Sequence, residues 1–145
     1  MIFHTLIEGA NFSDERGGLN FFNAFDMSEI VRMYEIAPID TKSIRGWQAH
    51  KNEKKWFYCH AGAFIVNLIE VDNFESPSKT LVASQFILHA EKPSVLEISG
   101  GYATGFKAKE DHSKLLVFSN FSLEKSKNDD FRFPVETWEA EWSEK

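Results

Sequence analysis

The run Arg45-Gly46-Trp47-Gln48-Ala49-His50-Lys51, with Ile44 before it, closes a segment over 42–50 that reads as a β-strand. Side chains alternate between the two faces of a strand, so Gln48 and His50 point to the same side. An imidazole, with an unperturbed pKa of about 6.5, gives or takes a proton near neutral pH. A glutamine amide can orient or hydrogen-bond a ligand but has no proton to exchange. His50 is therefore the candidate acid or base of this stretch, and Gln48 a candidate binding group. Downstream, 55–61 reads as a second strand, with Lys55, Phe57 and Cys59 on one face and Trp56, Tyr58 and His60 on the other.

The same chemistry recurs along the chain. Short segments rich in Phe, Val, Ile and Tyr predict strands at 2–7, 19–25, 30–37, 42–50, 55–61, 63–71, 80–89, 94–99, 103–108 and 114–122. Turn residues separate them: Asp14-Glu15-Arg16-Gly17-Gly18, Ala61-Gly62, Glu91-Lys92-Pro93, Ser99-Gly100-Gly101 and Glu110-Asp111-His112-Ser113. About ten short strands at near-regular spacing favour an all-β, closed antiparallel architecture, a jelly roll or a barrel, because closure removes exposed sheet edges. No repeat or linker divides the chain, so residues 1–145 read as one domain. A polar loop is expected near 124–130, followed by an aromatic tail carrying Phe131, Phe133, Trp138 and Trp142. The 138/142 spacing fits one face of a final helical turn.

Of the 145 residues, 43% are hydrophobic and 26% charged, the make-up of a folded globular domain. A net charge of -6 disfavours nucleic acid or an anionic membrane as partner, since both need a basic footprint. A polyanionic ligand would need a local basic pocket. Cys59 is the lone cysteine, which excludes an internal disulfide, and its apolar neighbours mark it as a core thiol. The amino terminus lacks signal-peptide character and no apolar run reaches the ~20 residues of a membrane span, which makes the cytoplasm the expected compartment.

The motif resembles Arg-Gly-x-His in cupin enzymes that isomerise dTDP-4-keto sugars. Asp14-Glu15-Arg16-Gly17-Gly18-Leu19 is similar to the Asp-x-Arg-Gly-x-Leu/Phe segment near the start of dTDP-4-dehydrorhamnose 3,5-epimerases and dTDP-sugar 3,4-ketoisomerases. Ile98-Ser99-Gly100-Gly101-Tyr102-Ala103-Thr104-Gly105-Phe106 resembles the epimerase stretch Ile-Pro-x-Gly-Phe-Ala-His-Gly-Phe. Lys114-Leu115-Leu116-Val117-Phe118-Ser119 and Asp129-Asp130-Phe131-Arg132 resemble the ketoisomerase end. Four matches in the family's order, over residues 14 to 132, carry far more weight than one. The resemblance implies a cupin-type jelly-roll β-barrel, a homodimer and a dTDP-sugar in the barrel mouth, with a place in surface-polysaccharide sugar biosynthesis. It assigns Arg16 and Arg45 to the diphosphate, a role that suits a planar guanidinium, and puts Gln48 and Lys51 beside the substrate.

The epimerase machinery is not reproduced. By the same resemblance Gln48 holds the base position, Phe118 the position of the acid tyrosine, and Thr104 that of a further histidine. The ketoisomerase run Arg-Gly-x-His-Ala-His-Lys keeps its second half as Ala49-His50-Lys51, leaving His50 as proton shuttle and Tyr102, with Tyr58 behind it, as a candidate acid. His60 and His112, next to turns, read as surface histidines. Against the metal-cupin template of a His-x-His pair, a nearby glutamate and a later histidine, only His50 and Glu53 stand in place, so no metal and no cofactor is expected. Three functions remain open: an isomerase of a nucleotide-linked deoxyhexulose, a non-catalytic sugar-nucleotide-binding cupin, and a jelly roll whose interior is plugged by rings such as Phe21, Phe57 or Phe118.

Overall fold

The computed structural model describes residues 1–143. Alternating apolar and polar side chains draw the chain into twelve strands: β1 His4–Glu8, β2 Ala10–Asp14, β3 Gly17–Phe21, β4 Arg32–Ile36, β5 Ile44–His50, β6 Lys55–Ala61, β7 Ala63–Glu70, β8 Ser84–His89, β9 Ser94–Ile98, β10 Tyr102–Ala108, β11 Lys114–Ser119 and β12 Phe131–Arg132. Two five-stranded antiparallel sheets face each other, ordered β1-β9-β6-β11-β4 and β12-β5-β10-β7-β8, and a separate hairpin pairs β2 with β3. This is the cupin-type jelly-roll barrel. No helix among the described residues is long and apolar enough to cross a membrane.

Parity within the strands divides the side chains into three layers. Phe57, Cys59, Phe64, Val66, Leu68, Leu96, Tyr102, Phe106, Leu115 and Val117 fill the space between the sheets. The outer face of the first sheet presents Trp56, Val95 and Phe118, which the irregular segment 22–31 covers with Phe22, Phe25 and Ile30. The outer face of the second presents Trp47, Ala49, Ile69 and Ala103, covered by Phe133, Trp138 and Trp142 of the tail. Burial of this kind, at roughly 25 cal/mol per Å² of apolar surface, is the main source of stability in such a sandwich. The tight β6–β7 turn depends on Gly62, at φ +71, where a Cβ would strike Ser113.

Several expectations need adjusting. The segment read as a strand over 19–25 is β3 only to Phe21, and the turn before it is the tip of the hairpin. The partner strand, Ala-Asn-Phe-Ser-Asp, escapes a propensity reading because it is short, polar and exposed over most of its length. The polar stretch around 124–130 forms a helical turn, α1 Leu123–Ser126, capped by Ser122, and then a 3-10 turn, Lys127–Asp129. Trp138 and Trp142 do not share a helix. Residues 135–137 make a 3-10 turn after Pro134, Trp138 is extended, and both indoles meet the Trp47 ring at 5.5 and 5.6 Å.

Candidate functional site

The sandwich is closed along one side and open along the other. Where β1 faces β8, the His4 ring packs edge-on against Phe86 at 5.3 Å and against Tyr102 at 5.6 Å. Where β4 faces β5, the sheets part around a cleft of about 510 Å³, rimmed by the segment 123–133. Its lining includes Arg32, Tyr34, Arg45, Gln48, Lys55, Thr104, Phe106, Lys127, Asp130 and Arg132. Five cations and a single carboxylate line it, in a chain whose net charge is -6. Such concentration of one charge sign in a concave site attracts an oppositely charged ligand.

A β-bulge brings the motif to the cleft. Strict alternation would place Arg45 and Gln48, three residues apart, on opposite faces. The register of β5 against β10 runs Gln48 to Thr104 but Arg45 to Phe106, so two residues of β5 oppose Gly105 alone. The extra residue turns Arg45 back to the side of Gln48. Gly105 is needed there because a Cβ would lie 2.8 Å from Trp142 and 3.1 Å from Trp47. Trp47 faces outward, its indole N–H donating to the Val135 carbonyl at 3.1 Å.

Lys55 is the cleft's central cation, buried to 4% exposure. Its ammonium donates to the Tyr34 hydroxyl at 2.9 Å and lies 3.5 Å from the Gln48 side-chain oxygen, with no carboxylate in salt-bridge range among the described residues. A buried ammonium held only by neutral groups is poorly compensated and presents an electrostatic hole for an anion. The Gln48 amide N–H donates to Asp130 at 3.1 Å, and Asp130 receives Arg132 at 3.0 and 3.2 Å. Burial works against ionisation of Asp130, but those hydrogen bonds outweigh it and hold its carboxyl below the ordinary pKa.

His50 lies deeper, 5% exposed, on the face it shares with Gln48 and directly across the ladder from Tyr102. Its Nδ1 is 2.6 Å from the Asp129 carbonyl and 3.4 Å from Glu53, while Nε2 is buried without a partner. Because a carbonyl only accepts, Nδ1 carries the proton and Nε2 the lone pair. Burial, reinforced by the Lys55 charge, pushes the imidazole pKa below its ordinary value despite Glu53 and Asp129. The ring is a neutral base at pH 7. Glu53 is fully buried and saturated by Arg32 at 3.0 Å, Ser119 at 2.6 Å and Ser126 at 2.6 Å. Among the described residues no group of three or more His, Cys, Asp or Glu side chains could hold a metal ion.

Arg45 and Gln48 thus line the cleft, whereas His50, two residues farther along β5 on the same face, is buried and is not part of its lining. The other sequence candidates lie elsewhere. Lys51, one residue past His50, faces outward, pairs with Glu75 at 3.2 Å and lies over the Phe131 ring. The Tyr102 hydroxyl meets His4 Nδ1 at 2.9 Å on the closed side, with its pKa raised by burial and by Glu70. Arg16 sits at the hairpin tip, gripping Asp14 at 2.6 Å, and does not reach the cleft of its own chain. Phe118 faces the covered outer surface, so it holds no place in the cleft. The aromatic hydroxyl in the cleft is that of Tyr34. His60 pairs with Glu35 at the surface, and His112 is exposed at φ 61.

Solved structures show what else is built this way. The 3,4-ketoisomerase QdtA from Thermoanaerobacterium thermosaccharolyticum, in complex with TDP, superposes with a TM-score of 0.69 at 21% identity, covering 90% of this chain and 88% of that one. The chain shares the fold of that enzyme. A 3,4-ketoisomerase from Helicobacter canadensis matches with a TM-score of 0.68 at 21% identity over 90% of both chains. The Mycobacterium tuberculosis rmlC epimerase reaches 0.72 at 15% identity, over 89% of this chain and 68% of its own. No protein-family model matches the chain, and no curated protein does. Within this jelly roll, nothing in the sequence marked Arg32 or Tyr34 as site residues, and it showed Lys55, Lys127 and Arg132 without a role. Lys55 carried a sign of its place, since it alternates with Phe57 and Cys59 on the interior face.

Proposed function

We propose that the cleft binds a dTDP-linked 4-keto-6-deoxyhexose and moves its carbonyl between C4 and C3. The observation that carries this reading is the pairing, in one acidic chain, of a cation-lined cleft with a neutral histidine whose Nε2 lone pair is unused. Arg45, exposed at the rim, is suited to the diphosphate, with Arg132 and Lys127 beside it. A structure of a QdtA variant in complex with TDP-4-keto-6-deoxyglucose, with a TM-score of 0.68 to this chain, supports the ligand class.

The chemistry is a proton relay. The carbonyl at C4 acidifies the C3 hydrogen, and His50 Nε2 takes that proton as charge moves onto the C4 oxygen. Lys55 and Tyr34 meet that oxygen: the ammonium offsets the developing charge, and the Tyr34 hydroxyl, which accepts from Lys55, passes its own proton to the oxygen, leaving a tyrosinate beside the neutral enediol. In the enediol the C3 hydroxyl gives up its proton to the tyrosine oxygen as C3 becomes the carbonyl. His50 returns its proton to C4, so every proton is accounted for and no redox partner is required. Gln48 orients the enediol oxygens. The product is an activated deoxyhexose of the kind consumed by surface-polysaccharide synthesis.

The chain acts as a homodimer in this reading. The β2–β3 hairpin exposes Phe12 at 56% and Leu19 at 59%, apolar surface that a second copy would cover, and Arg16 could meet a ligand only in a partner's cleft. Burial of His50 outside the lining of the cleft favours a second reading, in which the cleft binds the sugar nucleotide without turning it over. Incubation with dTDP-4-keto-6-deoxyglucose in heavy water separates the two. Deuterium at C3 or C4, absent with His50→Asn, supports isomerisation. Saturable dTDP binding with no label leaves the binding reading.

A further inference from the structure

Asp129 makes an unusual number of contacts with the strand end that carries His50. Its carboxylate accepts the backbone N–H groups of Lys51 at 2.7 Å, Asn52 at 2.8 Å and Glu53 at 2.8 Å, and its own carbonyl accepts His50 Nδ1–H at 2.6 Å. Asp129 is 6% exposed and lies 79 residues from His50 along the chain. The other acceptor near Nδ1, Glu53, stands farther off and already receives Arg32, Ser119 and Ser126.

We propose that Asp129 is a positioning residue: by folding the 51–53 turn onto its carboxylate it fixes its own carbonyl against Nδ1 and locks His50 in the tautomer that leaves Nε2 free. This rests on the reading of His50 as the proton shuttle, but concerns how the ring is held. A neutral imidazole has one N–H, so the acceptor placed at one nitrogen decides the state of the other. Three converging N–H donors demand an acceptor-only group. A carboxylate meets all three, whereas an asparagine would turn its own NH₂ against at least one and push the backbone, carbonyl included, away from the ring. A contact made for stability alone has no need to leave Nε2 unpartnered in a buried setting, where orphaned polar atoms are rare.

Long-range ¹⁵N NMR of the ¹⁵N-histidine-labelled protein at pH 7.5 is the test, with His50→Asn identifying the His50 signals among those of five histidines. The wild-type spectrum should show Nδ1 protonated and Nε2 with the shift of a bare acceptor. Asp129→Asn should convert His50 to a mixture of tautomers or to the Nε2–H form and lower kcat at least tenfold with KM little changed. A wild-type His50 protonated at Nε2 overturns the proposal without any variant, and so does a folded Asp129→Asn protein that keeps the wild-type tautomer. If Asp129→Asn does not fold, the wild-type spectrum decides. The predicted tautomer in a protein that labels no sugar would sink the isomerase reading and leave the role of Asp129 standing.

Discussion

The two halves of the barrel interior are built from the same strands and do opposite things. On the side of β8 and β9, Phe64, Leu68, Leu88 and Leu96 interlock with Phe57 and leave no room for a ligand. On the side of β4 and β5, the same layer turns into Arg32, Tyr34, Gln48 and Lys55 around an open cleft. Phe106 belongs to both, as a wall between dry core and wet site. One half is filled by rings and aliphatic side chains, and the other is left open. The closed half is neutral and interlocked, and the open half holds a buried ammonium with no carboxylate in salt-bridge range among the described residues.

That division can be broken by substitution. Phe57→Ala, in the dry half, should lower the unfolding free energy by about 3–5 kcal/mol in a denaturant melt, because a large ring leaves a cavity behind. Lys55→Met, of similar length in the wet half, should leave stability equal or higher, since it removes a poorly compensated buried charge. The same change should reduce kcat for the isomerisation by about 10²–10³-fold, the usual cost of one oxyanion donor. A large loss of stability in Lys55→Met would mean that the ammonium belongs to the core. Arg45→Ala should weaken dTDP binding by about 1.5–3 kcal/mol, measured by calorimetry, with melting unchanged.

The smaller tests concern protons. His50 faces Lys55, Glu53, Asp129 and Asp130, and the balance of burial and charge holds its pKa below the ordinary value. On the proposed mechanism the neutral ring is the base, so kcat/KM should fall on the acid side with a midpoint below about 6.5. Lys55→Met removes the second depressing cause and should move the midpoint of the residual activity upward. In the dry half, burial pushes the Cys59 thiol up to about 11. Cys59 should therefore resist iodoacetamide at pH 8 until the protein unfolds, since only the thiolate reacts.

Most of the strands were legible because alternation and β-branched or aromatic residues announce them locally, as 55–61 does. The hairpin partner β2 and the two-residue β12 were not, since exposed polar strands are specified by their neighbours rather than by their own composition. Of the motif, Arg45 and Gln48 stand in the wall of the cleft. Tyr102 and Phe118 lie away from the cleft, since a residue's position in sequence does not say which side of a sandwich its ring reaches. Arg32 and Arg132 look like solvated charges in a sequence, and only the meeting of β4 with β5 and the tail reveals what they surround. Asp129 was quoted only as part of a motif, because its partners lie in a turn 76 to 78 residues away.

The additional residue in β5 opposite Gly105 has one more implication. It acts as a swivel between two sections of a single strand, so that the first section can change without rotating the second. Substitutions at 44 and 45 can thus reshape the rim of the cleft while the groups at 48 and 50 keep their orientation. Deleting one residue there would do the reverse, swinging Arg45 toward the indoles of the tail and emptying the rim in a single step.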